Sequence, residues 1–149
     1  MQIMQPVIQL NWFAIAVAVV ANIIIGFLWY GPLLGNVWMR EMGLAPDHKP
    51  DPAVLKRSMM LMIISAFLTA YVLAHTVAVW RPSTWNAGED AASAVYGLST
   101  AFFTWIGFFV PVLLAGVAWE NKSWKLFGIN AGYHFVALLA ASMILAYWR

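Results

Sequence analysis

The chain has no cysteine and little charge: only 9% of its 149 residues are Asp, Glu, Lys or Arg. Without cysteine, disulfides, thiolate catalysis and cysteine-ligated iron–sulfur clusters are excluded. A soluble domain averages about 25% charged residues, so this composition does not supply a water-facing surface. The sequence also lacks a nucleophile–base pair, a phosphate-binding loop and a metal-ligand cluster. We therefore expect a protein that is not an enzyme and holds no metal.

Most of the chain consists of long apolar runs. Hydrophobic residues make up 63% of the chain, and all charged residues lie outside four apolar runs at 11–30, 59–80, 91–119 and 126–148. About 20 apolar residues cross a bilayer core as a helix, and a charge inside it costs roughly 2.5–3.5 kcal/mol. The sequence predicts an all-α membrane protein, an antiparallel four-helix transmembrane bundle in one domain, 1–149, with spans at about 9–30, 58–80, 91–119 and 125–148.

The 31–57 loop is the only connection long enough to have structure of its own. Its apolar residues recur at helical spacing over 34–42, which predicts a short interfacial helix after the first span, with Trp38 facing lipid or the bundle. Gly43 is a plausible end for this helix. Asp51 followed by Pro52 is typical of a capped helix start, so the second helix is predicted to begin before the membrane does.

The distribution of Lys and Arg predicts the orientation. The first and third loops carry six of these residues, and the other side has only Arg81 and Arg149. By the positive-inside rule, the 31–57 loop is cytoplasmic and both termini are periplasmic, in a bacterial cytoplasmic (inner) membrane. Most tryptophans lie near span ends and are interpreted as interfacial anchors, as are Tyr30 and Tyr147. Trp105, near the middle of the third run, is the exception.

Several motifs resemble those of the bacterial DUF1761 family, small four-span membrane proteins of unknown function. The resemblance covers essentially the whole chain and includes pieces of the last span, Gly132-Tyr133 and Ala146-Tyr147-Trp148. It implies the fold and a membrane location but no reaction. It also includes Asn11 and Trp12 at the start of the first span and Trp38 after its end, and its most specific part is Trp29-Tyr30-Gly31-Pro32.

Polar side chains inside the spans need partners or a function, because hydrocarbon satisfies no hydrogen bond. They are predicted to form a polar belt near the middle of the bundle. This belt is either hydrogen bonding between helices or the lining of a small pocket or polar path for a ligand or a proton. The predicted members are Asn22, Thr69, Thr104, Trp105, Asn130, Tyr133 and His134.

Two histidines within spans raise the hypothesis of haem b bound by two imidazoles. His75 and His134 differ by ~12 Å in depth at ~1.5 Å per residue, which disfavours one haem between them, so no cofactor is expected. Small residues at every fourth position, Ala14, Ala18, Asn22 and Gly26, predict close helix packing, as does the Gly128–Gly132 pair, and this packing is either within the chain or at a dimer interface.

Three functions stay open. The leading one is a structural or accessory membrane protein that binds lipid, a small apolar ligand or a partner protein. The alternative is an oligomeric transporter or channel for small molecules, although no span contains the carboxylate that proton-coupled cation export would use. A haem- or pigment-associated redox subunit is third. The expected partners are membrane lipids and either further copies of the chain or a larger membrane complex, and no nucleic acid is expected.

Overall fold

A computed structural model describes residue 6, residues 8–45 and residues 47–148. Four of its helices are long and apolar enough to cross a membrane: Trp12–Leu33, Pro52–Val79, Ser93–Trp119 and Trp124–Tyr147. The predicted fold class, an all-α bundle of four spans, is confirmed. Arg149, which entered the charge count, lies outside the described residues.

The first span consists of α1 (Trp12–Leu28) followed by a π-helical turn over Trp29–Leu33. The Asn11 side chain caps α1 by accepting a hydrogen bond from the Ala14 amide at 3.0 Å. Pro32 has no N–H to offer the preceding turn, and Gly31 adopts a non-helical backbone with φ −105° and ψ −106°. The regular α-helix therefore ends just before the Gly31-Pro32 pair.

The predicted interfacial helix is α2 (Gly35–Glu41). Gly43 follows it with φ +69°, the left-handed conformation typical of a residue just beyond a helix end. Trp38 packs edge-on against Tyr30, with 5.7 Å between the ring centroids, so it faces the bundle as predicted. Ser123 and Lys125 both contact the Glu41 carboxylate and thereby connect α2 to the third loop.

The second span is α3 (Pro52–Val79), and Asp51 caps it by accepting from the Ala53 amide at 2.7 Å. The predicted helix start at this position is confirmed. A short 3-10 turn, Pro82–Trp85, lies in the connection to the third span. That span comprises α4 (Ser93–Thr104), a second π-helical turn over Trp105–Phe109, and α5 (Val110–Trp119).

The fourth span, α6 (Trp124–Tyr147), is the centre of the bundle. It packs against α1, α3, α4 and α5, and half of its most apolar stretch is buried, more than in any other span. We call the end of the bundle that carries α2 the α2 end. The opposite end, with the connection between α3 and α4, is the Arg81 end.

Packing is much tighter at the Arg81 end. The main buried core consists of small and branched residues, together with Tyr96, from the first half of α1, the second half of α3, the first part of α4 and the second half of α6. A methyl group on Gly97 would lie 3.2 Å from the Met143 Cα and 3.3 Å from the Ser142 carbonyl oxygen, which shows how closely α4 and α6 approach. Towards the α2 end, residues 52–65 of α3 are all exposed, and Gly116 is the buried residue of α5.

Candidate functional site: a polar cavity between α1, α3 and α6

A cavity of about 270 Å³ lies between α1, α3 and α6, within the membrane-spanning part of the bundle. Phe109, from the π-helical turn of the third span, also contributes to its wall. None of the lining residues is Asp, Glu, Lys or Arg. The polar and aromatic ones are Asn22, Tyr30, Ser65, Thr69, Phe109, Tyr133 and His134.

Two hydrogen bonds between α6 and the first span form one wall of the cavity. The Tyr133 hydroxyl donates to Asn22 Oδ1 at 2.8 Å, and the Tyr30 hydroxyl donates to Asn130 Oδ1 at 2.9 Å. The two phenol rings also contact each other, with centroids 5.0 Å apart. The predicted polar partners of Asn22 and Asn130 are therefore present, and each is a tyrosine on a different helix.

Small residues make this approach of α1 and α6 possible. Ala14, Ala18 and Gly26 of the predicted stripe are buried. A methyl group on Gly26 would lie 3.3 Å from the Tyr133 hydroxyl oxygen, so this position allows the tyrosine to reach Asn22. Of the Gly128–Gly132 pair, Gly132 accommodates the Trp29 ring, whereas a methyl group on Gly128 would meet nothing within 4 Å.

His134 lines the same cavity and is half-buried. Its ring packs against Phe109, with 4.6 Å between centroids, and against Tyr133, at 5.0 Å. Within the described part of the chain, the imidazole makes no hydrogen bond with another residue. The position of His134 in the bundle interior agrees with the prediction, whereas the polar partner predicted for it is not found among the described residues.

The predicted belt is only partly assembled into one site. Asn22, Thr69, Tyr133 and His134 line the cavity, and Asn130 is attached to it through Tyr30. Thr104 and Trp105 are not part of its lining, so the structure separates these two from the rest.

Trp105 faces the α4–α6 contact instead. Its indole N–H donates to the Ala131 carbonyl at 2.9 Å, and its ring packs against Phe135. Trp29 makes the equivalent bond, from its indole N–H to the Ile129 carbonyl at 3.0 Å. Each tryptophan begins a π-helical turn. The interpretation of Trp29 as a simple interfacial anchor is therefore incomplete.

His75 lies apart from His134. Its Nδ1 is 3.0 Å from the Tyr71 carbonyl one turn earlier in α3, and it lines a separate, open depression with Thr76 and Trp80.

Among the residues of the cavity wall that carry a hydroxyl group, sequence reasoning missed two, Tyr30 and Ser65. The position of Tyr30 at the end of the first run predicts an interfacial side chain, and its bond to Asn130 across one hundred residues has no local signal. Ser65 did have a signal, because it lies four residues before Thr69 and so shares a helix face with it.

Arg81 was missed as well. It was counted only as a loop charge, but it is 4% exposed. Its guanidinium donates to Asp90 Oδ2 at 3.2 Å and to the Ala146 carbonyl at 2.6 Å, and it lies 4.6 Å from the Tyr96 ring centroid. A larger cavity, about 570 Å³, borders Arg81. We favour the smaller cavity as the functional site, because the Arg81 guanidinium is already paired with Asp90 of the loop and bonded to the Ala146 carbonyl.

Comparison with known proteins supports the resemblance seen in the sequence. The family model "Protein of unknown function (DUF1761)" matches residues 13–146. The chain is 35% identical over 52 residues to the "UPF0591 membrane protein C15E1.02c" of Schizosaccharomyces pombe. That match covers 35% of this chain and 35% of the relative, about a third of each. No solved structure matches the chain. Because the family model covers nearly all of its length, the protein belongs to the DUF1761 family.

Proposed function

We propose that the protein is a non-enzymatic membrane protein that binds a lipid or another small molecule in the cavity between α1, α3 and α6. The observation that carries this proposal is a cavity of about 270 Å³, inside the spans, whose wall combines apolar side chains with polar groups from three helices. Binding sites for small molecules are typically of this kind, mostly apolar with a few placed polar groups.

The arrangement of polar groups supports binding more than catalysis. A serine or threonine nucleophile needs a base within hydrogen-bond reach, and His134 makes no hydrogen bond with Ser65 or Thr69. No group of three or more His, Asp or Glu side chains that could hold a metal ion occurs in the described ranges. The hydroxyls, amides and imidazole that remain are suited to orienting a ligand.

Native mass spectrometry of the protein purified in a mild detergent tests this proposal. We expect a small molecule or lipid to remain bound to the wild type and to be lost from His134→Ala. His75→Ala is the matched control, because His75 lies on another face of the bundle and its ring is bonded to the Tyr71 carbonyl. Retention of the bound species by His134→Ala, with only a lower thermal stability, would mean that the polar residues serve helix packing alone.

The same spectra give the stoichiometry of the intact assembly. They therefore test the expectation that the chain works as a homo-oligomer or as a subunit of a larger membrane complex.

We propose a location in the bacterial inner membrane with both termini periplasmic. Support comes from the six Lys and Arg residues of the first and third loops, against two on the other side. Fusions of alkaline phosphatase and of a fluorescent protein to each terminus are the test. Active phosphatase at both ends is expected, and inactive phosphatase with cytoplasmic fluorescence would reverse the orientation.

A further inference from the structure

We infer that the ligand is an uncharged amphiphile whose head carries carbonyl oxygens, and that it reaches the cavity sideways from the lipid, between α3 and α5. This inference rests on the proposed function, because it assigns a chemical class and a route to the same site.

The first argument concerns hydrogen-bond donors. On α3, the Thr76 hydroxyl donates to the Val72 carbonyl four residues earlier, and the His75 ring bonds the Tyr71 carbonyl in the same way. Ser65 and Thr69 lie on the same helix and line the cavity, yet neither makes such a bond in the described structure. Their hydroxyl donors remain available to a ligand.

The α1 and α6 side of the cavity adds further donors. Asn22 accepts from Tyr133 through its Oδ1, and its amide N–H groups have no partner among the described residues. The neutral imidazole of His134 has one N–H donor. The Ser65 and Thr69 hydroxyls can donate or accept, whereas the Asn22 amide N–H groups and the imidazole N–H can only donate. Polar groups inside a membrane need a partner, so these donor-only groups favour a ligand that presents acceptor oxygens. Carbonyl and ester oxygens meet that requirement.

The second argument concerns charge. The lining contains no Lys, Arg, Asp or Glu. An ionic head placed in hydrocarbon without a counter-charge is strongly disfavoured. A phosphate or ammonium head is therefore excluded from this cavity, which leaves an uncharged one.

The third argument concerns access. Around the cavity, α1 packs on α3, both pack on α6, and α5 also packs on α6, whereas any contact between α3 and α5 is marginal. The successive α3 residues from Met59 to Ile64, which lie all around the helix at this level, are between 42% and 58% exposed. The gap between α3 and α5 is thus the side of the cavity that helix packing leaves open. A volume of about 270 Å³ suits a head group, so an apolar tail would extend through this gap into lipid.

Two natural sources supply this chemistry: the ester carbonyls of a diacylglycerol and the ring carbonyls of an isoprenoid quinone. To separate them, the delipidated full-length protein in detergent is titrated with three compounds. These are a short-chain diacylglycerol, its dialkyl ether analogue, which lacks the carbonyls, and a quinone with a short isoprenoid tail. Binding is measured as bound adducts in native mass spectra.

At least one carbonyl compound is expected to bind, and the ether analogue is expected to bind about fivefold more weakly for each hydrogen bond lost. Binding of the quinone alone or of the diacylglycerol alone identifies the source. Equal binding of the ester and ether compounds would overturn the carbonyl assignment and leave the proposed function intact. If none of the three compounds binds but His134→Ala removes a natural adduct, the carbonyl assignment is overturned and the proposed function stands. If no natural adduct exists either, the proposed function fails.

Two threonine substitutions on α3 test whether a hydroxyl in the cavity donates a hydrogen bond to the ligand. Thr69→Val keeps the shape of the side chain and removes its hydroxyl, and we expect it to weaken binding of the carbonyl compound about fivefold. Thr76→Val is the matched control on the same helix, and no change in affinity is expected. Equal weakening by both substitutions, or by neither, would contradict the assignment of Thr69 as a donor. If Thr69→Val does not fold, the ester–ether comparison on the wild type still tests the carbonyl assignment whenever the diacylglycerol binds.

Discussion

The two ends of this bundle are built from the same kinds of helices and differ in how closely those helices approach. At the Arg81 end, α3 presents Ala66, Ala70 and Ala74 at every fourth position, and all three are buried. At the α2 end, the same helix has six large apolar residues in succession, 59–64, all exposed. Lipid tails are as apolar as these side chains, so they gain little by packing against protein. Close packing at one end thus depends on small residues.

This difference in packing also separates the part of the bundle that supports the helices from the part that contains the cavity. The polar cavity lies where the closely packed half of α3 gives way to the exposed half, since Ala66 and Thr69 contribute to its wall. The closely packed Arg81 end holds together the helices that carry the donors, and the less closely packed α2 end leaves room beside them. Three substitutions sharpen this comparison.

The largest effect is expected from Arg81→Ala. This change removes the Arg81 guanidinium from Asp90, whose side chain is 11% exposed, and removes a donor to the Ala146 carbonyl. We expect a loss of about 3 kcal/mol in the free energy of unfolding, measured by denaturation with SDS in mixed micelles. Lys122→Ala, which breaks the exposed pair with Glu120 at the other end, should cost between about 0 and 1 kcal/mol. Equal losses in unfolding free energy for the two variants would show that the buried Arg81 pair stabilises the bundle no more than the exposed Lys122 pair does.

The second substitution compares two leucines of α3. Leu73 is 1% exposed at the Arg81 end, and Leu61 is 58% exposed towards the α2 end. Leu73→Ala removes dispersion contacts and leaves a void, so we expect a loss of about 2 kcal/mol in unfolding free energy. Leu61→Ala is expected to change it by less than about 0.5 kcal/mol. A large loss at Leu61 would instead indicate that this face is covered, for example by another subunit.

The smallest effect is expected from removing one indole N–H. Trp29→Phe keeps an aromatic ring against Gly132 but loses the hydrogen bond to the Ile129 carbonyl. That carbonyl keeps its helical position, so we expect a loss of about 1 kcal/mol in unfolding free energy. Trp119→Phe is the control, because Trp119 is 86% exposed, and it should leave the stability unchanged. No difference between the two would mean that the Trp29 bond does not restrain the first span.

The hydrogen bonds of Trp29 and Trp105 give a structural role to a weak similarity between the first and third spans. Trp29 with Gly31-Pro32, and Trp105 with Gly107 and Pro111, form a weak echo in the sequence. In the structure both tryptophans begin a π-helical turn and both bond a carbonyl of α6. Composition alone did not predict this, because membrane helices share Trp, Gly and Pro for many reasons.

The sequence by itself determined the class of fold, the four spans, the helix after the first span and the capped start of α3, because each depends on local hydropathy and on local hydrogen-bond chemistry. It also identified Asn22, Asn130, Tyr133 and His134 as polar groups that need an interior position. Only the tertiary structure decided that α6 is central, that Tyr30 and Tyr133 are the partners of the two asparagines, that Trp105 lies outside the cavity and that Arg81 is buried. These facts depend on which helix faces are in contact, and pairings between residues a hundred positions apart have no periodicity along the chain.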